Sequence, residues 1–151
     1  MRIKKQGILP EKQQKTKILV HYAVQDRKSF EMLRKHFKPD ASIEIIDPYD
    51  ILPGKDWRKY KAEAIKSANC IVFLISADFY GNDTVWEEAK LMMHQRKDLE
   101  KAGLLLGIAV RPVAYTATTP LLLNGALVQS EADMVRAVNA IKDILSRQGL
   151  I

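Results

Sequence analysis

The stretch Cys70–Ser76, CIVFLIS, constrains the fold more than any other part of the chain. It is apolar almost throughout and shows no alternation of apolar and polar residues. It is also far too short to span a bilayer, which takes about 20 apolar residues in a helix. A strand that is apolar on both faces must be covered on both faces, and that is the habit of the central strand of a parallel sheet. Parallel neighbours need crossover connections, usually helices. The remaining text should therefore alternate between strand and helix.

It does. Ile18-Leu19-Val20 reads as a short buried strand. Asp26 is placed to cap a helix through Phe37, with Phe30, Leu33 and Phe37 on one face. Lys38-Pro39-Asp40 stops that helix, and Ser42–Asp47 reads as a second strand. A loop with Pro48, Pro53 and Gly54 follows. The next helix runs from about Asp56 to Ala68, with Trp57, Tyr60, Ala64, Ile65 and Ala68 on its inner side. After the central strand come a helix from Asp83 to about Arg96 and a fourth strand, Leu104–Val110, ending at Arg111-Pro112. An irregular stretch leads to a short fifth strand near Ala126–Val128. Glu131–Arg147 is the last helix, with Met134, Ala137, Val138, Ile141, Ile144 and Leu145 inward. The pattern implies an α/β domain: an open, doubly wound, mostly parallel five-stranded sheet with helices on both faces. Ligands of such sheets bind beyond the carboxyl ends of the strands. The segments that matter are then His21–Gln25, Asp47–Gly54, Ser76–Glu88 and Arg111–Tyr115.

Charge adds little to this. The chain of 151 residues has a formal net charge of +6. Residues 1–17 hold six bases against one acid, and the rest holds 18 bases against 17 acids. Residues 1–16 lack apolar periodicity and read as a flexible basic leader or linker, leaving 17–151 as the folded domain. Ile8-Leu9 is followed at once by Pro10, so the leader has no apolar core of signal-peptide length. One cysteine excludes an internal disulfide. The expected location is the cytoplasm, with no membrane partner and no direct nucleic-acid partner. A domain of this length leaves no room for a separate sensor, so any trigger is expected from elsewhere.

The strand ends carry few chemical signatures. HYAVQD after the first strand contains no glycine-rich phosphate loop, no Ser lies in a GxSxG elbow, and no Cys or His pair has metal-ligand spacing. A phosphorelay receiver would want an Asp after the third strand and a Lys after the fourth; Ser76 and Arg111 stand there instead. What remains is Tyr22, Asp47, Glu87 and Glu88. The two glutamates open onto two readings. Acidic residues early in a helix are favoured by its dipole alone, or one of them carries chemistry. Cys70, in a buried strand, reads as inert, and His94 as a surface or packing histidine.

Four stretches resemble bacterial TIR (Toll/interleukin receptor) domains. KILVHYAVQD is similar to the family's opening strand, aromatic residue and acid. DPYDILPGKDW, Asp47–Trp57, is close to the family's BB loop. AIKSANCIVFLISADFYGNDTVWEEAK resembles its third strand and acid-bearing helix, and GIAVRP its next strand and exit. The resemblance covers residues 17–147 and implies a flavodoxin-like fold. It also implies NAD glycohydrolase activity: cleavage of the nicotinamide–ribose bond, giving nicotinamide with ADP-ribose or a cyclic ADP-ribose, in bacterial immune or cell-death signalling such as antiphage defence. NAD would be a consumed substrate, with no resident cofactor and no metal. By the family's offset from Phe79 the catalytic residue is Glu88, with Glu87 pointing elsewhere. Tyr22, Asp47 and His21 fall on positions lining the substrate site. His21 replaces a small hydroxyl residue, Asn82–Val85 replaces Ser-x-Trp-Cys with Trp86 displaced, and Ala23 and Val24 stand where bases are usual. Asp50, Ile51, Leu52, Pro53 and Gly54 form the implied BB-loop interface, through which the domain would self-associate into an oligomer or filament on activation. The alternative is a non-catalytic adaptor that acts only through TIR–TIR contact.

Overall fold

A computed structural model describes residues 14–50, 54–112 and 122–151. Among the described residues the five strands are β1 (Thr16–His21), β2 (Ile43–Ile46), β3 (Cys70–Ile75), β4 (Leu105–Ala109) and β5 (Leu122–Leu127). They form one sheet in the order β2-β1-β3-β4-β5, and every pairing is parallel. This is the doubly wound arrangement expected from the sequence. All six residues of β3 are buried, as its unbroken apolar text requires. The pairing of β4 with β5 shifts register between Gly107 and Ala109.

The helices are α1 (Arg27–Phe37), α2 (Trp57–Ser67), α3 (Ala77–Gly81), α4 (Asp83–Gln95), α5 (Lys97–Ala102) and α6 (Glu131–Arg147). Right-handed crossovers place α1 and α6 on one face and α2 and α4 on the other. The contacts agree. Glu131 at the start of α6 meets Lys35 and His36 of α1. Arg96, after α4, donates to the carbonyls of Ile65, Lys66 and Ala68 at the end of α2.

Caps set most of the helix starts. Asp56 accepts from the amides of Arg58 and Lys59, Ser76 from Phe79, Asn82 from Val85 and Ser130 from Asp133. Arg96 before α5 and Asp26 before α1 are exceptions, and Asp26 corrects a sequence expectation. It stands at the N-cap of α1 but makes no capping bond; its side chain turns inward to partners just beyond β3 and β4. The short helices α3 and α5 are additions to the sequence reading. Trp57 is a second correction: expected on the inner side of α2, it is 45% exposed. Among the described residues, no helix is long and apolar enough to cross a membrane.

Candidate functional site

The carboxyl ends of the strands carry three polar groupings, and they differ in how far solvent reaches them. The first joins the ends of β1 and β2. Tyr22 is fully buried, its ring stacked on Phe30 at 4.6 Å. Its hydroxyl donates to Asp47 Oδ1 at 2.9 Å and accepts from Arg27 Nη1 at 2.6 Å. Arg27 also forms an ion pair with Asp47 Oδ2 at 2.8 Å. The Tyr49 amide donates to Asp47, and the Tyr49 hydroxyl donates back to the Tyr22 carbonyl. Burial, then the hydrogen bond to Asp47, holds the Tyr22 phenol well above its ordinary range. Tyr22 and Asp47 thus come together, closed on each other and on Arg27.

The second grouping lies at the switch in strand order, between β1 and β3. Asp26 is buried and receives the Ser76 hydroxyl at 2.5 Å and Arg111 Nε at 2.7 Å. Arg111 also reaches Ser76 and the Asp78 carboxylate. Those hydrogen bonds to Asp26 and Asp78 raise the Arg111 pKa further, fixing its charge.

The third grouping contains Glu88. The neighbouring glutamates diverge, because successive helix positions are about 100° apart. Glu87 is 67% exposed and pairs with Lys90 on the surface. Glu88 is 23% exposed and turns toward α2. Lys61 Nζ donates to both its carboxylate oxygens, at 2.9 and 2.7 Å. The same ammonium lies 4.3 Å from the centroid of the Trp57 ring. These residues line one end of a cleft of about 200 Å³, floored by Ile65 and Met92 and flanked by Leu91 and Gln95.

His21 sits beneath this cleft rather than in its wall. It is buried between the edges of Phe73 and Phe79. Its Nε2 lies 2.8 Å from the Val85 carbonyl, which can only accept, so that nitrogen carries the proton. Nδ1 has no partner among the described residues. Burial lowers the His21 pKa; the Val85 carbonyl and the charge of Glu88 oppose that fall, and Lys61 adds to it. Burial and then Glu88 likewise raise the Tyr49 phenol. His21, Tyr49, Lys61 and Glu88 therefore share one electrostatic neighbourhood.

Of the BB-loop residues, Ile51, Leu52 and Pro53 lie outside the described residues. Asp50 is exposed and donates its amide to the Asp47 carbonyl. Gly54 is exposed at φ +84°, a left-handed conformation that other residues adopt only with strain. Tyr60 reaches back to the Asp47 carbonyl at 3.3 Å, anchoring the loop on α2. Trp86 packs on Phe79 and Tyr80, behind the site. Cys70 is buried and its thiol is pushed up to about 12 by that burial, as suits an inert position. His94 is exposed. Among the described residues no group of three His, Cys, Asp or Glu could hold a metal ion.

Sequence reading missed Arg27, Tyr49 and Lys61. Lys61 carries a local signal, since it stands four residues after Trp57 on one helix face. Its pairing with Glu88 spans 27 residues and carries none.

Comparison with protein families finds a match to the TIR domain model over residues 18–145. Comparison with curated proteins finds no match. Among solved structures, the chain is similar to the TIR domain of the Toll-related receptor TRR-2 from the lower metazoan Hydra magnipapillata. The two are 20% identical, the match covers 84% of this chain and 96% of that one, and the TM-score is 0.58.

Proposed function

Because the chain belongs to the TIR domain family, we propose that it is a NAD glycohydrolase that acts through Glu88 and is activated by self-assembly. The observation that carries this reading is the placement of Glu88. It is a carboxylate partly open to the cleft between α2 and α4, while Asp26 and Asp47 are sealed.

The chemistry asks little of the protein. When the bond from the ribose anomeric carbon to the nicotinamide nitrogen breaks, the electron pair goes to that nitrogen, and a pyridinium becomes neutral nicotinamide. No acid is needed to assist departure. Positive charge develops on the ribose, and a carboxylate held at its hydroxyls stabilises that oxocarbenium-like state. Water then adds to the anomeric carbon and loses a proton, giving ADP-ribose; capture by the adenine of the same molecule gives a cyclic product. NAD is consumed, so no resident cofactor is required. Tyr22 and Asp47, tied by Arg27, would hold the β1 and β2 loops at the rim. The setting we favour is bacterial immune or cell-death signalling in the cytoplasm, with assembly through the loop around Asp50 and Gly54.

The test is purified protein with NAD, followed by chromatography for nicotinamide at low and high protein concentration. Wild type should release nicotinamide at high concentration, and Glu88→Ala should release none. Equal silence of both under conditions that give assemblies would sink the enzyme reading.

A second reading is a non-catalytic adaptor. TIR domains associate with one another, and Lys61 neutralises Glu88 in this state, which favours a purely structural carboxylate. On that reading Gly54→Arg abolishes TIR–TIR binding and Glu88→Ala changes nothing.

A further inference from the structure

Glu88 stands in the second turn of α4, and what holds the first turn is only partly local. The link from β3 is the five-residue helix α3 and then Asn82, which ends α3 and caps α4 at once. Asn82 Oδ1 accepts the Val85 amide at 3.1 Å. The carbonyl of the same residue is held from afar. His21, the last residue of β1, sets its Nε2 2.8 Å from that carbonyl, across 64 residues of sequence. Among the described residues this is the hydrogen bond that joins α4 to a strand of the sheet. Val85 is therefore fixed at both polar backbone groups, by a cap on one side and an imidazole on the other.

The place of that anchor matters for the carboxylate. Residues three apart are neighbours on one helix face, so Val85 lies one turn before Glu88. The helical ladder also brings the amide of Ala89, next to Glu88, onto the Val85 carbonyl. A shift at Val85 thus reaches Glu88 through a single turn of backbone. The imidazole itself is clamped. It is 2% exposed and lies against Phe73 of β3 and Phe79 of α3, with ring centroids 6.1 and 5.9 Å away. Its Nδ1 has no partner among the described residues. A buried polar atom without a partner is costly. An apolar side chain would fill the same space without that penalty; what the imidazole adds is the bond to α4.

We infer that His21 is a positioning residue for Glu88: through the Val85 carbonyl it ties the first turn of α4 to the end of β1, and so sets where the carboxylate stands without touching the substrate. The inference rests on the reading of Glu88 as the group that acts on NAD, and adds how that group is aimed. The ring does this uncharged. Burial lowers its pKa, so at neutral pH it brings no second cation to compete with Lys61 for Glu88.

The test uses the full chain and three variants, each checked for folding by circular dichroism. His21→Leu fills the space and has no donor. His21→Asn places its amide near the position of Nδ1, short of Val85. His21→Gln carries an N–H as far as Nε2. With NAD as substrate, His21→Leu and His21→Asn should lower kcat roughly a hundredfold, the effect of misplacing a catalytic group by about an ångström. KM should stay within about twofold, since substrate contacts are untouched. His21→Gln should recover most of kcat; a packing role alone would not separate Gln from Asn. Wild-type kcat in the folded Leu and Asn variants overturns the inference. So does a loss confined to KM, which would make His21 a substrate contact. If one of the two fails to fold, the other decides; unfolding of both would make the ring a core strut and sink the idea.

A second readout needs no turnover. The side-chain carboxyl ¹³C signal of Glu88, assigned with Glu88→Gln, should move in the Leu and Asn variants and hold in His21→Gln. An unmoved signal in every variant overturns the positioning role whether or not NAD is cleaved. If wild type cleaves no NAD while the signal moves as stated, the enzyme reading is lost and the tie from His21 to Glu88 stands.

Discussion

Asp26 and Glu88 are both carboxylates at the carboxyl edge of one sheet, both paired with a basic side chain, and they are built for opposite ends. Asp26 is 1% exposed and takes bonds from a hydroxyl just after β3 and a guanidinium after β4. Its partners come from rigid strand ends, and Arg111 is itself pinned by Asp78. Glu88 has one flexible ammonium and faces a cleft. The lesson is that an ion pair says little about function until burial and the number of fixed donors are known. A carboxylate held by several fixed groups is a strut. One held by a single movable charge can exchange its partner.

The sharpest way to break that comparison is to remove the cation from each side. Arg111→Ala leaves Asp26 buried with only the Ser76 hydroxyl. Breaking a buried pair in this way costs about 3–5 kcal/mol, and because the guanidinium is partly exposed and screened by solvent, the low end, about 3 kcal/mol, is expected. Lys61→Met leaves Glu88 able to take water and should cost about 1 kcal/mol or less. Urea unfolding of the two variants measures both. Equal losses would show that Glu88 is as structural as Asp26.

A smaller effect sharpens the comparison from the first grouping, that of Tyr22. Tyr22→Phe keeps the ring stacked on Phe30 and removes only the hydroxyl between Asp47 and Arg27. One charge-assisted hydrogen bond at a buried acceptor is worth about 1.5–3 kcal/mol, and the retained Arg27 pair should hold the loss near about 1.5 kcal/mol. Urea unfolding again decides. If NAD turnover collapses in a Tyr22→Phe protein that remains this stable, the cluster does more than brace the loops.

How far the sequence reached follows from the range of each interaction. The central strand was legible because six consecutive apolar residues, Cys70–Ile75, leave few alternatives. The last helix, Glu131–Arg147, was legible because the apolar spacing and Ser130 cap act within a few residues. Asp26 was misread for the same reason. Locally it is a cap, but Ser76 and Arg111, 50 and 85 residues away, claim its oxygens. Trp57 was placed inward by helical periodicity, yet it lies in the first turn of α2, at the loop end of the helix, where it is left exposed. At the site, the residues alone left Glu87 and Glu88 open, and only the resemblance to the TIR family separated them. That Lys61 and Trp57 would close over Glu88 depends on α2 lying beside α4, a consequence of strand order that no short segment states.

His21 supplies the smallest test, one that separates a residue beneath the site from one in it. Its ring is buried and its pKa lies below the ordinary value of about 6.5. Between the folded and unfolded values the unfolded chain binds a proton that the native chain does not. The stability His21 contributes is therefore whole above about 6.5 and is lost as the pH falls through that value. The carboxylates held low by their partners, Asp40, Asp98, Glu131 and Asp133, lose their contributions only in the more acidic range near 4 and below. His21→Gln keeps an amide N–H for the Val85 carbonyl and does not titrate, so its melting temperature should fall less than that of wild type between pH 7.5 and 5.5. Glu88 and Lys61 act on the ring with opposite signs. Losing Lys61 should thus raise the His21 pKa, so that the decline below about 6.5 becomes shallower and levels off at a higher pH. A pH-independent difference between wild type and His21→Gln would mean that the imidazole is already satisfied in both charge states, and that its burial beneath α4 is not what holds it neutral.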